Sequence, residues 1–370
     1  MTKIKAFIKL IIFTAGLILI NDRLTEIFAV KEFDPIIPNV NSMIDKNWLA
    51  TMRGGFYSEK KNSMDVVFVG SSQIFCDFNP NVIWKELGIT SYDFSAHRQD
   101  PGTSYYYLKQ MFETQSPKVV VIDLYLFGDD YLDCTDLKAG HYNFDYMKKD
   151  LYRIQGIWNR VGDTRLETLF PIMYYNQRWK EITMEDILFK PVQHDFLKGT
   201  FLYMNENQWS GGFRGMPEDL PDYKLPEQGI TWLHKIMELC EKHNCECLFI
   251  KTPLTLYGFD HFSNMQDIDF YAYIQALTKY CEDNNIPFMN MIGMEDEIGL
   301  DWYTDYNDSV HLNWNGQQKM SVFMGKYLMD KYHLESKKGL PGYEQWDEDY
   351  EKMRYYTDNF QDLYQNPYEL

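Results

Sequence analysis

The sequence predicts an α/β fold: a three-layer α/β/α sandwich on a parallel five-stranded sheet, with one long insertion and an N-terminal membrane helix. Three observations carry this. Runs such as Val66-Val67-Phe68-Val69 and Val119-Val120-Val121-Ile122 are apolar at every position, as strands covered on both faces are. They alternate with segments of helical period, which calls for crossover connections between parallel strands. Ahead of them lies an apolar run, Leu10 to Ile20, behind Lys3, Lys5 and Lys9.

Counted from Ala6, that run is slightly short of the ~20 residues that cross a bilayer comfortably, with Lys9 snorkelling. Asn21, Asp22 and Arg23 end it. The basic flank predicts an inside N-terminus and an extracytoplasmic body, hence a single-pass membrane protein. A cleaved signal peptide is the alternative, but no small-x-small pair follows the apolar core. Residues 1–22 are therefore read as the membrane anchor. Residues 23–63 lack a clean period and are read as a neck that lifts the body off the membrane.

The body is read over residues 64–332. Asp65–Val69 is a buried strand. Asn79 caps a helix that opens on Pro80 and ends at Gly88. A strand at Ser91–Ser95, a helix at Pro101–Thr114 and a strand at Val119–Ile122 follow. An insertion over about 129–225, rich in Tyr and Trp, then breaks the rhythm. Alternation returns with a helix at Gly229–His243 and a strand at Cys247–Ile250. A helix over about Asp269–Asn284, a strand at Pro287–Met291 and a helix over about Asn313–Tyr332 complete it. Residues 333–370 form an acidic aromatic tail, read as a solvated extension with a partner-binding segment as the alternative.

Composition narrows the function. With 370 residues, 45% apolar and 16% aromatic, the chain is globular, with enough length for a large core. The 36 Lys and Arg against 54 Asp and Glu leave a formal charge of −18, which repels nucleic acid. Among six cysteines, Cys245-Glu246-Cys247 is too tight for a zinc knuckle and no histidine sits at ligand spacing from it, so no metal and no cofactor are expected. The cysteines are read as buried thiols.

The chemistry lies at the two ends of the body. Val69-Gly70 runs into Ser71-Ser72, and Asp308-Ser309-Val310-His311 precedes the last helix. In a parallel α/β sheet ligands bind beyond the carboxyl ends of the strands, and both segments follow such ends. A serine hydroxyl needs a base; an imidazole titrates near neutral pH and needs an acid to fix its tautomer. Ser72 is the expected nucleophile, His311 the base and Asp308 the orienting acid, with Asp305 as second choice. His97, His141, His234, His243 and His261 lack this setting and are read as surface or core residues.

Val69-Gly70-Ser71-Ser72 resembles the first block of the SGNH/GDSL hydrolases, with Ser72 at the nucleophile position. Asp308-Ser309-Val310-His311-Leu312-Asn313, followed by Gly316, resembles their last block. The likeness covers about Met64 to Tyr332 without the insertion. It implies an SGNH-hydrolase-like fold and a Ser-His-Asp serine esterase or acyltransferase. Ser71 replaces the usual aspartate. The second block's oxyanion glycine is replaced within Tyr92-Asp93-Phe94-Ser95-Ala96, so the oxyanion-hole candidates are Ser72, Ser95 and Ala96. The third block's asparagine is missing from Asp123-Leu124-Tyr125-Leu126-Phe127-Gly128.

These departures and the anchor are similar to the extracytoplasmic SGNH-like proteins that accompany membrane-bound O-acyltransferases, of DltD-like and alginate-acetylation-like kind. The resemblance implies a membrane-bound O-acyltransferase as partner and a cell-surface polysaccharide or teichoic-acid-like polymer as substrate. A scaffold or glycan-binding protein with weak or no catalysis, and a secreted carbohydrate esterase, are the alternatives. For the glycan, Trp158, Trp179, Tyr203 and Trp209 are the candidate stacking residues, against the reading that they only pack the insertion onto the sheet.

Overall fold

The computed structural model describes residues 2–29, 39–45, 47–127, 137–188, 190, 194–205, 212–213, 217–255 and 267–365. Helices α1 (Thr2–Phe28), α2 (Val40–Ile44) and α3 (Trp48–Ser58) precede strand β1 (Val66–Val69). Then come α4 (Ser72–Asp77), α5 (Pro80–Leu87), β2 (Ser91–Asp93), α6 (Pro101–Met111) and β3 (Val119–Asp123). The insertion holds α7 (Leu137–Phe144), α8 (Leu151–Arg160), α9 (Arg165–Leu169), α10 (Ile172–Tyr175), a 3-10 turn (Asn176–Lys180) and α11 (Met184–Leu188). After it come α12 (Glu227–Lys242), β4 (Glu246–Lys251), α13 (Asp267–Asp283), β5 (Phe288–Asn290) and α14 (Glu295–Ile298). The chain closes with α15 (Trp314–Tyr332), α16 (Glu344–Asp358) and α17 (Phe360–Gln365).

The five strands form one parallel sheet in the order β2-β1-β3-β4-β5. Side chains alternate between its faces. Val67, Val69, Val120 and Ile122 face α6, α12 and α13, where Leu108, Leu233 and Ile274 meet them. Val66, Phe68, Val119 and Val121 face α5 and α15, against Ile83, Met320 and Met324. Both faces are covered, which is why the strands are apolar throughout. The α/β/α sandwich expected from the sequence is the fold observed.

After β2 the chain returns across β1 to form β3, so the sheet's connections change direction between β1 and β3. Crevices at such reversals are where α/β sheets bind ligands. Val69 is level with Ile122, and Gly70 and Asp123 therefore leave the sheet side by side. The approach is close: a Cβ on Gly70 would lie 2.7 Å from the Asp123 Cβ, and Gly70 holds a φ of +154°. A side chain would force these two strand ends apart.

Two parts of the chain behave differently from the sequence expectation. The neck is not a spacer over its whole length. Asn47 caps α3, whose Trp48, Leu49, Met52 and Phe56 are buried in the body. The Val40 N–H bonds the Leu202 carbonyl at 3.2 Å, and Asn41 Oδ1 accepts from the Leu202 N–H at 2.9 Å. Nor is the tail a solvated extension. Helix α16 packs on α5 through Trp346 and Met353, both buried. Trp84 Nε1 donates to Asp347 at 2.9 Å, and Lys198 joins the buried Asp349 at 2.7 Å and Glu59 at 2.6 Å. Each such apolar side chain withdrawn from water contributes about 1.5–3 kcal/mol, which outweighs the tail's acidity.

Candidate active site

The turn after β1 sets the first side chain. Ser71 caps α4: its hydroxyl accepts from the Gln73 N–H at 3.3 Å and donates to Asp123 Oδ2 at 2.5 Å. That hydroxyl is committed to the turn. Ser72, the first helical residue, is partly exposed and free to project over the rim. Its Oγ lies 2.8 Å from His311 Nε2. Its N–H, one of those at a helix start with no intrahelical acceptor, is available to an oxyanion.

The second segment is a tight loop. Tyr306 bridges Leu312, the Asn307 N–H bonds the His311 carbonyl at 2.9 Å, and Asn313 caps α15. Asp308 sits at its tip. Its Oδ2 lies 2.8 Å from His311 Nδ1, and Oδ1 accepts from the N–H groups of Val310 at 2.8 Å and His311 at 2.9 Å. An ionised carboxylate only accepts, so Nδ1 carries the proton and Nε2 faces the Ser72 hydroxyl as acceptor.

Electrostatics follow from this geometry. Burial opposes ionisation of Asp308, but the His311 charge and the hydrogen bonds from His311 and Val310 outweigh it and hold the carboxyl below its usual range. Burial alone would depress His311; the adjoining Asp308 carboxylate, with a lesser contribution from Asp77, raises it above the ordinary imidazole value. The imidazolium that forms when a hydroxyl proton arrives is thereby favoured. Both side chains keep some contact with solvent, 16% for His311 and 35% for Asp308.

A buried polar network supports both loops. Gln73 Nε2 donates to the Val310 carbonyl at 3.3 Å, and Gln73 Oε1 accepts from Lys251 Nζ at 2.8 Å. Lys251, at the end of β4, also donates to the Thr252 carbonyl at 2.8 Å and lies 4.8 Å from the centre of the Tyr125 ring. Burial pulls its ammonium down to about 8. Burial also pushes Asp77, whose Oδ1 accepts from the Leu312 N–H, up to about 7. The strand-end residue Asp123, which opens the stretch without the third block's asparagine, turns back to hold Ser71.

The structure thus brings Ser72, His311 and Asp308 into one hydrogen-bonded line. Asp305, the second choice, is elsewhere: it is buried and bonded to Lys319 at 2.5 Å. Of the oxyanion candidates, Ala96 is excluded as a donor, because its N–H already bonds the Gly70 carbonyl at 3.1 Å. Ser95 keeps a buried hydroxyl with no hydrogen-bond partner among the described residues. Tyr203 is beside the relay, its ring 6.1 Å from that of His311. Trp158 and Trp179 are not: they face solvent, and their ring neighbours are Arg165 and Lys180. Trp209 lies outside the described residues, as do Gly128, Cys134 and His261.

Sequence reasoning missed Gln73 and Lys251; His97, read as a surface or core residue, is a packed one. His97 contacts the rings of Phe75, Trp48 and Tyr142 at 5.0–6.0 Å between centroids. Burial, with the charges of His311 and Arg53, pulls it down to about 3, so it stays neutral near the relay. Lys251 could have been found from its place at a strand's carboxyl end. The described residues contain no cluster of three or more His, Cys, Asp or Glu fit for a metal, and their five cysteines are free and buried.

No protein-family model matches the chain, and no curated protein matches it. Two solved structures are distantly similar to the chain. One is provisionally assigned as a lipolytic protein of the G-D-S-L family from Desulfitobacterium hafniense DCB-2: 11% identity, TM-score 0.34, 70% of this chain and 97% of that one. The other is provisionally assigned as an acylhydrolase from Bacteroides fragilis NCTC 9343: 13% identity, TM-score 0.38, 77% of this chain and 98% of that one. Likeness of this size carries no chemistry across.

Proposed function

We propose that the chain is an SGNH-type serine esterase or O-acyltransferase, held outside the cytoplasm by α1 and acting on acyl groups of a cell-surface polymer. The observation that carries this is the unbroken line from the Ser72 hydroxyl through His311 to Asp308, at the rim where β1 and β3 diverge. His311 Nε2 takes the Ser72 proton as Oγ attacks the acyl carbonyl. The Ser72 N–H is the donor offered to the resulting oxyanion, and the unpartnered Ser95 hydroxyl is the remaining candidate for a second. Asp308 steadies the imidazolium, which then protonates the departing alkoxide. An acyl ester remains on Ser72. Water or a polymer hydroxyl, deprotonated by the same nitrogen, attacks that ester and frees the serine.

Three features support the wider reading. Helix α1 is long and apolar enough to cross a membrane and none of its span is buried. The departures in the second and third blocks, together with the apolar N-terminal helix, resemble relatives that work with a membrane-bound O-acyltransferase. Tyr203 offers a ring beside the relay on which a sugar face can stack. Residues 1–22 would then be the anchor, and the catalytic body would begin earlier than residue 64, at the segment that includes α2 and α3.

A weakly catalytic reading is favoured by one observation: the Ala96 N–H is consumed by Gly70, and Asp123 supplies no amide donor. An oxyanion site short of a donor costs roughly 10²–10³ in kcat. The two readings part on a simple assay with an aryl acetate. Turnover that vanishes in Ser72→Ala supports the enzyme; a rate unchanged by Ser72→Ala would leave only the scaffold.

A further inference from the structure

Helix α8 packs Ile157 inward but also turns apolar residues to the outside. Its charged residues Arg153 and Arg160 are buried, while Leu151, Ile154 and Trp158, spaced three and four apart on one side, are exposed. The arginines are well held. Arg153 donates to the carbonyls of Phe144 at 2.6 Å and Thr168 at 3.0 Å, and Arg160 pairs with the buried Asp100 at 3.1 Å. A surface helix in water keeps its apolar stripe to the core. Further along the same layer Trp179, Met184 and Leu188 are exposed by 65–68%.

This layer is tied to the outer end of α1. Helix α1 packs on α10, the 3-10 turn and α11, while α8 packs on α9 and α9 on α10. Asp22 pairs with Lys149 at 2.7 Å, and Arg23 donates to the Ile187 carbonyl at 2.6 Å. Arg178 donates to the carbonyls of Phe28 at 2.8 Å and Ala29 at 2.7 Å. Asp22, Arg23, Phe28 and Ala29 all lie past the apolar run that ends at Ile20, where the chain would leave a bilayer. In a chain of charge −18, residues 148–190 carry eight Lys and Arg against six Asp and Glu. Exposed Trp beside Lys, as in Trp179-Lys180, is the composition of a membrane–water interface.

We propose that the outer face of α8–α11 is a second membrane-contacting surface, whose Trp158, Trp179 and Leu188 enter the head-group region of the bilayer that α1 spans. The occupant is lipid. This rests on the reading of α1 as a membrane span. The contact fixes the body's tilt, so that the Ser72 rim is held at a constant height and direction over the membrane instead of swinging on a single helix.

The full chain, reconstituted into phosphatidylcholine vesicles whose acyl chains are brominated near the head group, tests this. Bromine quenches only tryptophans in contact with lipid, and α1 contains none. The intact chain should be quenched, and the quenched component should disappear in the Trp158→Phe/Trp179→Phe variant. Flotation of the same vesicles after an alkaline carbonate wash reports α1 separately. Chains that float while both proteins quench alike overturn the lipid contact and leave α1 as a span, with the α8–α11 face then turned to a protein. Chains that do not float overturn both.

Discussion

Ser72 Oγ and His311 Nε2 lie 2.8 Å apart across 239 positions of sequence. Neither residue reaches the other through a local element. The contact exists because β1 ends level with β3 at the reversal of the sheet, and because the loop capping α15 folds back over that rim. The Gln73–Val310 and Leu312–Asp77 hydrogen bonds tie the two segments beneath it.

Asp308 is expected to act through the imidazole. In Asp308→Asn the amide no longer stabilises the imidazolium and leaves His311 free to adopt the wrong tautomer. Turnover of an aryl acetate should fall by ~10⁴-fold with little change in KM. The carboxylate also accepts two backbone N–H bonds, so circular dichroism should accompany the assay. A rate within tenfold of the unaltered chain, with the fold intact, would remove Asp308 from the relay.

The pH dependence has a definite sign. His311 must be neutral to accept the serine proton, and Asp308 raises its pKa above the ordinary imidazole value. Activity should therefore rise with pH through a limb displaced above about 6.5. Removing the Asp308 charge should move that limb to lower pH. Stability runs the other way: the imidazolium is favoured in the fold, so its contribution is full below the unfolded value and is lost as pH rises through the folded one. A limb below the ordinary value in the unaltered chain would contradict this.

Lys198 holds the C-terminal helix to the body. It is buried between Glu59 and Asp349, and His194 Nε2 adds a 2.7 Å contact to Asp349. Lys198→Met leaves the buried Asp349 and the largely buried Glu59 without this ammonium and should lower stability by about 3–5 kcal/mol. Denaturant titration measures this. Proteolysis should also cut near residue 340 earlier than in the unaltered chain. A loss under about 1 kcal/mol would mean that the pair is solvated, as surface pairs are.

Much of this was legible in the sequence, for local reasons. Val66–Val69 announces a strand covered on both sides, and Asn79-Pro80 and Gly88 announce the bounds of α5. Asp308 and His311 stand just ahead of the Asn313 cap that starts α15. Other parts depend on partners far away. Nothing in residues 39–58 says that Leu202 will meet Val40 and Asn41, so a packed segment looked like a spacer. Nothing in Trp346–Glu351 says that Lys198 will bury Asp349. The Ala96 N–H is lost to Gly70 through backbone geometry, which residue type does not encode. For Trp158 and Trp179 the sequence leaves sugar stacking and packing onto the sheet both open, because residue type shows their number and not their outward direction.

The account stands or falls on Ser72 as a nucleophile. The full chain should be treated with a fluorophosphonate and the adduct mapped by mass spectrometry on the peptide that carries both Ser71 and Ser72. The account predicts one phosphonate on Ser72, absent from Ser72→Ala and formed more slowly in His311→Ala. An adduct on another residue, or none at any pH from neutral upward in a folded chain, would contradict it.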